Sequence, residues 1–139
     1  MKKLGLDLGT VRIGIASSDM LNIIASPLEN YNCKSREEDI KHISKIAKDL
    51  QVDEIVVGLP YNMDGTEGWM AEYVKDFCED LKNYVDCQIT LRDERLTSCE
   101  AEDILISRNY SREKRKKMLD ALSATLILQS YIDEKKFRS

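Results

Sequence analysis

The order of elements legible in this sequence predicts an α/β protein: a mixed five-stranded sheet with helices on both faces. Three observations carry that expectation. Short apolar runs with a two-residue period crowd the N-terminal end. Helix-capping signals and helical spacing begin at Ser35. Beyond that point β-branched runs alternate with amphipathic stretches, which is how parallel strands and their crossovers read.

Taken in order, Leu4-Gly5-Leu6-Asp7-Leu8 is a first strand, and Gly9-Thr10 supplies turn chemistry. Val11, Ile13 and Ile15 alternate with Arg12, Gly14 and Ala16, a second strand. A third is expected over Asn22 to Leu28, making a meander. Ser35 opens a capping box with Glu38, and Ile40, Ile43, Ile46, Ala47 and Leu50 follow at helical spacing. Glu54 to Leu59 is a β-branched run stopped by Pro60, read as a buried strand. A loop from Tyr61 to Gly68 leads to a helix carrying Met70, Tyr73, Val74, Phe77 and Leu81. Gln88 to Leu91 reads as a strand, Thr97 to Glu100 as the cap of a short helix, and Ser111 precedes a last helix to about Lys135. The order βββαβαβαα, with right-handed crossovers, fits the RNase H-like fold.

At 139 residues, without repeats or Pro/Gly/Ser-rich linkers, residues 1–139 are expected to form one domain. Nothing approaches the roughly 18 apolar residues of a membrane span. Asp7 interrupts the first apolar run and no cleavage site follows it, so a cytoplasmic protein is expected. Cys33, Cys78, Cys87 and Cys99 lack CxxC spacing, and the lone His42 cannot complete a zinc site with them. Free, mostly buried thiols are expected. His42 lies off the isoleucine stripe and is expected to face solvent; Trp69 and Met70 are expected to pack on the core.

The net charge of −4 hides an asymmetry. From Arg108 to Lys117 six basic residues stand against Glu113, a local +5 that leaves −9 on the remainder. A basic stripe on an acidic body is a footprint of phosphate binding, although charge runs are more often a solvated helix start.

Two carboxylates stand in apolar settings. Asp7 lies within a strand between Leu6 and Leu8. An ionised carboxylate there needs a partner, either a structural salt bridge to an arginine or a functional ligand, and the functional use is favoured. Asp120 is the only charge in the run from Met118 to Leu128, open to a pair with Lys116 or to a functional role. Glu94 sits where a strand gives way to a helix, at the C-terminal strand ends that line functional crevices in α/β sheets. Asp93 and Glu94 should point to opposite sides, so one of them faces the site. Carboxylates without a histidine or cysteine nucleophile suit Mg²⁺ or Mn²⁺, hard cations that can clamp the attacking and leaving oxygens of a phosphodiester.

Four segments together resemble a known family: LGLDLGTVRIGIASSD, VGLPYNMDGTEG, DERLTS, and an aspartate on the last helix after basic residues. They are similar to the YqgF-type family of RuvC-like nucleases, described as Holliday-junction-resolvase-like proteins and pre-16S rRNA nucleases. The resemblance spans nearly the whole chain. It implies a metal-dependent endonuclease acting on structured nucleic acid, precursor 16S rRNA or branched DNA, with Asp7, Glu94 and Asp120 as acidic active-site residues and metal ligands. It places Arg12, Arg95 and Thr97 near the substrate, with Asp64 and Gly65 on the rim. Arg115, Lys116 and Lys117, from the basic stripe, are expected to bind substrate phosphates. Three residues before Asp120, where better-understood resolvases place a further ligand, stands Lys117, which cannot ligate Mg²⁺ while protonated. Asp19 and Asp93 are the remaining acids that could contribute. Two other readings stay open: a non-catalytic RNA- or partner-binding module on the same fold, and an actin-like nucleotide-binding domain suggested by Asp7-Leu8-Gly9-Thr10. Monomer and homodimer are equally compatible with the sequence.

Overall fold

The computed structural model describes residues 1–60, 66–93 and 111–138, except for the side chains of 114–118 and 136–138. Alternation in the first strand, β1 (Lys3–Leu8), sorts the molecule into layers. Leu4, Leu6 and Leu8 point to one face and are buried, while Gly5 and Asp7 point to the other. β1 is the centre of the sheet. It pairs antiparallel with β2 (Arg12–Ser18), which pairs antiparallel with β3 (Ala25–Asn32). On its other side it pairs parallel with β4 (Glu54–Leu59), and β4 pairs parallel with β5 (Gln88–Asp93). The strand order is β3-β2-β1-β4-β5.

The leucine face is covered by α1 (Arg36–Asp49) and α2 (Trp69–Leu81). Ser35 caps α1 as its sequence indicates, its hydroxyl accepting from the Glu38 N–H at 3.2 Å. Ile40, Ile43 and Ala47 of α1 and Val74, Phe77 and Leu81 of α2 pack on Leu4, Leu6, Ile13, Ile15, Ile55 and Val57. A side chain of this size contributes about 1.5–3 kcal/mol when fully buried.

The opposite face carries one long helix, α3 (Arg112–Arg138), which follows Ser111. Its sheet-facing residues Ala124, Ile127, Leu128 and Ile132 meet Ala16, Ala25 and Val56 in a second, smaller core. A Cβ added at Gly5 would lie 2.8 Å from Leu128 Cβ, and one at Gly14 would lie 1.8 Å from the Asp120 carbonyl oxygen. Small residues on this face therefore set how closely α3 approaches. Among the described residues no helix is long and apolar enough to cross a membrane.

Three readings of the sequence are corrected. The third strand begins at Ala25 rather than Asn22. Ile23 and Ile24, which made the earlier start attractive, are exposed in the turn, where the Asp19 carboxylate accepts from both of their N–H groups. His42 is half-buried instead of fully solvent-facing: its ring stacks on Tyr31, centroids 4.1 Å apart, and bonds Glu29 at 2.8 Å. Trp69 is 71% exposed at the start of α2, whereas Met70 packs against the core as expected. The short helix expected after Thr97 lies outside the described residues.

Candidate active site

The site begins with a row across the sheet. Asp7 of β1 stands opposite Gly14 of β2, and Gly14 stands opposite Asn30 of β3. The backbone of Asp120 lies directly over Gly14. Asp7 and Asp120 thus share one face of the sheet, at the edge where β1, β4 and β5 end. Glycine at position 14 is what lets them approach, because any side chain there would occupy the space of the Asp120 carbonyl.

Asp7 is half-buried. The Asp120 side chain, 26% exposed, accepts from Arg12 Nε at 2.7 Å. Its partner is therefore Arg12, which starts β2. The same carboxylate raises the Arg12 guanidinium above its ordinary pKa, by the hydrogen bond first and by charge second. The turn that presents Arg12 is fastened from two sides. Gly9 N–H donates to the Arg12 carbonyl at 2.9 Å, and Cys33 N–H donates to the Val11 carbonyl at 2.8 Å. A Cβ at Gly9 would meet the Arg12 carbonyl at 2.6 Å, so this turn needs glycine there.

β5 ends at Asp93, opposite Leu59. Arg92 reaches to α3, bonding Ser130 Oγ at 2.9 Å and the Glu134 carboxylate. Alternation therefore turns Asp93 away from α3, out of the candidate site. Asp19 is also excluded, since β2 carries it to the other edge of the sheet, where it caps the Ile23–Ile24 turn. Glu94, Arg95, Thr97, Asp64 and Gly65 lie outside the described residues. Arg115, Lys116 and Lys117 are on the first turns of α3, with their side chains outside the description.

Among the described residues no three of Asp, Glu, His and Cys converge as a metal centre. Asp7 and Asp120 supply hard carboxylate oxygens on one face of the sheet, where Gly14 lets the α3 backbone close in, a donor pair whose chemistry suits Mg²⁺ or Mn²⁺ and not a soft metal. The described cysteines do not compete as nucleophiles. Burial pushes the Cys33 and Cys78 thiols up to about 11 and raises Cys87, which keeps them protonated near neutral pH.

The sequence profile of the RuvX family, described as Holliday junction resolvase, matches residues 1–134. The chain belongs to the RuvX family. A relative from Halalkalibacterium halodurans, named "Putative pre-16S rRNA nuclease", is 44% identical over 99% of this chain and 100% of its own length. One of the same name from Endomicrobium trichonymphae is 48% identical over 94% of each chain. Among solved structures, Thermus thermophilus RuvC in complex with a Holliday junction substrate superposes with a TM-score of 0.63 at 10% identity, covering 100% of this chain and 98% of that one. The Fowlpox virus resolvase in complex with Holliday junction DNA gives 0.62 at 12% identity, covering 97% and 99%. These structures establish that this RuvX-family chain has the RNase H-like fold expected from its element order.

Two features of the α3 face escaped the sequence reading. One is Asn30, the third member of the cross-sheet row. The other is Glu54, only 4% exposed at the far end of the same face. Its carboxylate accepts from Lys3 Nζ at 2.9 Å, Thr90 Oγ1 at 2.5 Å and Tyr131 Oη at 2.6 Å. Burial disfavours its charge, but these three donors outweigh burial and hold its pKa below the ordinary value. An acid at the head of a β-branched strand reads as a solvated cap; only the α3 packing shows it enclosed.

Proposed function

We propose that this RuvX-family chain is a metal-dependent endonuclease that hydrolyses phosphodiester bonds in structured nucleic acid, with precursor 16S rRNA as its physiological substrate in the cytoplasm. The observation that carries the reading is the placement of Asp7 and Asp120 on one face of the sheet, brought together because Gly14 lets the α3 backbone close onto it. Family membership and the names of its relatives support the reaction class and the RNA substrate.

In this reading Asp7, Glu94 and Asp120 hold Mg²⁺ or Mn²⁺. Bound there, such ions neutralise charge on the attacking and leaving oxygens of a phosphodiester. The protein's own part is positioning and charge. Arg12, fixed by the Gly9 turn and half-exposed, is placed to meet a phosphate next to the carboxylates. Arg95 and Thr97 are assigned to the same substrate edge, and Arg115, Lys116 and Lys117 to the phosphate backbone further along α3. Backbone contacts of this kind set affinity and register without reading sequence.

The test is cleavage by the wild-type chain and Asp7→Asn, side by side, on precursor 16S rRNA and on a four-way DNA junction with Mg²⁺ or Mn²⁺. Metal-dependent cutting of the RNA that Asp7→Asn loses supports the proposal. Cutting of the junction alone moves the substrate to branched DNA. Equal behaviour of the two proteins removes the carboxylate site.

A further inference from the structure

Asn30 occupies an edge strand, where a polar side chain is ordinarily spent on water. Here it is half-buried, and its Oδ1 accepts from the backbone N–H of Ala121 at 2.6 Å. Ala121 is the residue after Asp120, two full turns inside α3. An interior helical N–H normally serves the carbonyl four residues earlier, so a side chain from another element reaching it is a specific tie. It fixes the height of α3 over the sheet at the turn that presents Asp120.

A backbone irregularity aims Asn30 there. Ala25 of β3 faces α3, whereas Tyr31 faces the α1–α2 core. Strict alternation from Ala25 would put position 29, not 30, under α3. The register of β3 on β2 slips between Ile15 and Ala16, so that Ile15 pairs with Glu29 and Ala16 with Pro27, leaving Leu28 as an extra, half-exposed residue. This β-bulge turns Asn30 to the α3 face and places it opposite Gly14. Bulges re-aim side chains in this way next to functional sites.

We infer that Asn30 is a positioning residue for the candidate active site: its side-chain carbonyl, aimed by the Leu28 bulge, holds the Ala121 amide and so sets the distance of Asp120 from Asp7. The inference rests on the carboxylate reading given above. Asn30 touches no reacting atom; it acts through the α3 backbone.

The experiment compares wild-type, Asn30→Ala, Asn30→Asp and Asp7→Asn full-length chains. It reads kcat and KM on precursor 16S rRNA, and separately the rise in Tm on titration with MnCl₂. Asn30→Ala is expected to lose at least tenfold in kcat with KM within about twofold, and to show a smaller Mn²⁺-induced rise in Tm. Asn30→Asp keeps the accepting oxygen and is expected to hold kcat within about threefold of wild type. A merely structural role predicts a lower Tm with unchanged kcat and an unchanged Mn²⁺ response, and that result overturns the inference. If Asn30→Ala does not fold, Asn30→Asp decides: loss of kcat as deep as that of Asp7→Asn overturns it. Wild-type chain that neither cleaves nor responds to Mn²⁺ refutes the underlying metal-carboxylate reading. An active wild type, inactive Asp7→Asn and normal Asn30→Ala refute only the role of Asn30.

Discussion

Arg12 Nε and Asp120 Oδ2 lie 2.7 Å apart, joining residues 108 positions apart at the sheet edge where β1 ends. The pair engages one of the carboxylates assigned to metal. If Asp120 ligates metal as proposed, Arg12 and a divalent cation compete for it, and a phosphate that draws Arg12 away frees the carboxylate. Arg12→Ala is expected to bind Mn²⁺ more tightly, by up to about fivefold, the scale of an exposed ion pair. The same variant is expected to bind RNA more weakly, with a salt slope shallower by about one. Calorimetric Mn²⁺ titration and salt-dependent RNA binding check the two halves. Weaker binding of both ligands would mean that Arg12 orders the site instead of competing for it.

Asp7→Asn separates a catalytic carboxylate from a structural one. In the proposed site the acids repel one another without metal, so removing one charge is expected to leave Tm equal to or above wild type while cleavage is lost. Mn²⁺ is expected to raise Tm in wild type and much less in the variant. A structural ion pair predicts the reverse, a loss of about 3–5 kcal/mol without metal. Thermal melts of both proteins, with and without metal, decide between them.

Gly14→Ala is expected to be the most damaging single methyl group on the α3 face. Its Cβ would sit 1.8 Å from the Asp120 carbonyl oxygen, so α3 must retreat and carry Asp120 with it. The expected cost is about 3 kcal/mol, roughly 10 °C in Tm, with loss of cleavage in the fraction that still folds. Gly5→Ala, whose nearest atoms are at 2.8 and 2.9 Å, is expected to cost less. Chemical denaturation of the two variants checks the ranking.

The basic start of α3 is tested by charge. Replacing Arg115, Lys116 and Lys117 together with alanine is expected to weaken RNA binding at any sequence and flatten its salt dependence, with stability nearly unchanged. An unaltered salt slope would make the stripe a solvated helix start and nothing more.

Glu54 gives a pH signature. Its pKa is lowered in the folded chain, against burial, by Thr90, Tyr131 and Lys3. The resulting stability is fully present above the unfolded glutamate value and is lost as pH falls through the folded one. Glu54→Gln is expected to be about 3 kcal/mol less stable at pH 7, the lower end for a broken buried pair, since Lys3 keeps Asp53 at 3.4 Å. Its stability is also expected to fall less steeply below pH 4.5. Denaturant midpoints across pH 3–7 read both effects.

Much of this is legible in the sequence. Two-residue alternation located β1 and β2, the Ser35–Glu38 box located α1, and the apolar neighbours of Asp7 and Asp120 marked both acids for attention. The periods in those segments are set by burial on one face, so they survive in the letters alone. β3 was misplaced because its apolar residues, Ile23 and Ile24, belong to a turn, while the edge strand itself is polar at Glu29, Asn30 and Asn32. The Leu28 bulge left no local signal, since an inserted residue in an edge strand resembles ordinary irregular polarity. Asn30 and Glu54 are illegible for a different reason: Ala121 and Tyr131, which they bond, come from the far end of the chain.

The separation of these partners along the chain bears on timing during synthesis. β1 and β2 leave the ribosome before α3, and their leucine face can be covered as soon as α1 and α2 emerge. Their other face, lined by Gly5, Gly14 and Ala16, waits for α3, the last element of the described chain. Until α3 docks, Asp7 has no Asp120 beside it and Asn30 has no amide to hold. On the proposed reading a chain still lacking α3 is inert as a nuclease however much of its sheet has formed, and truncation ahead of residue 120 leaves an open seam and half of the proposed site.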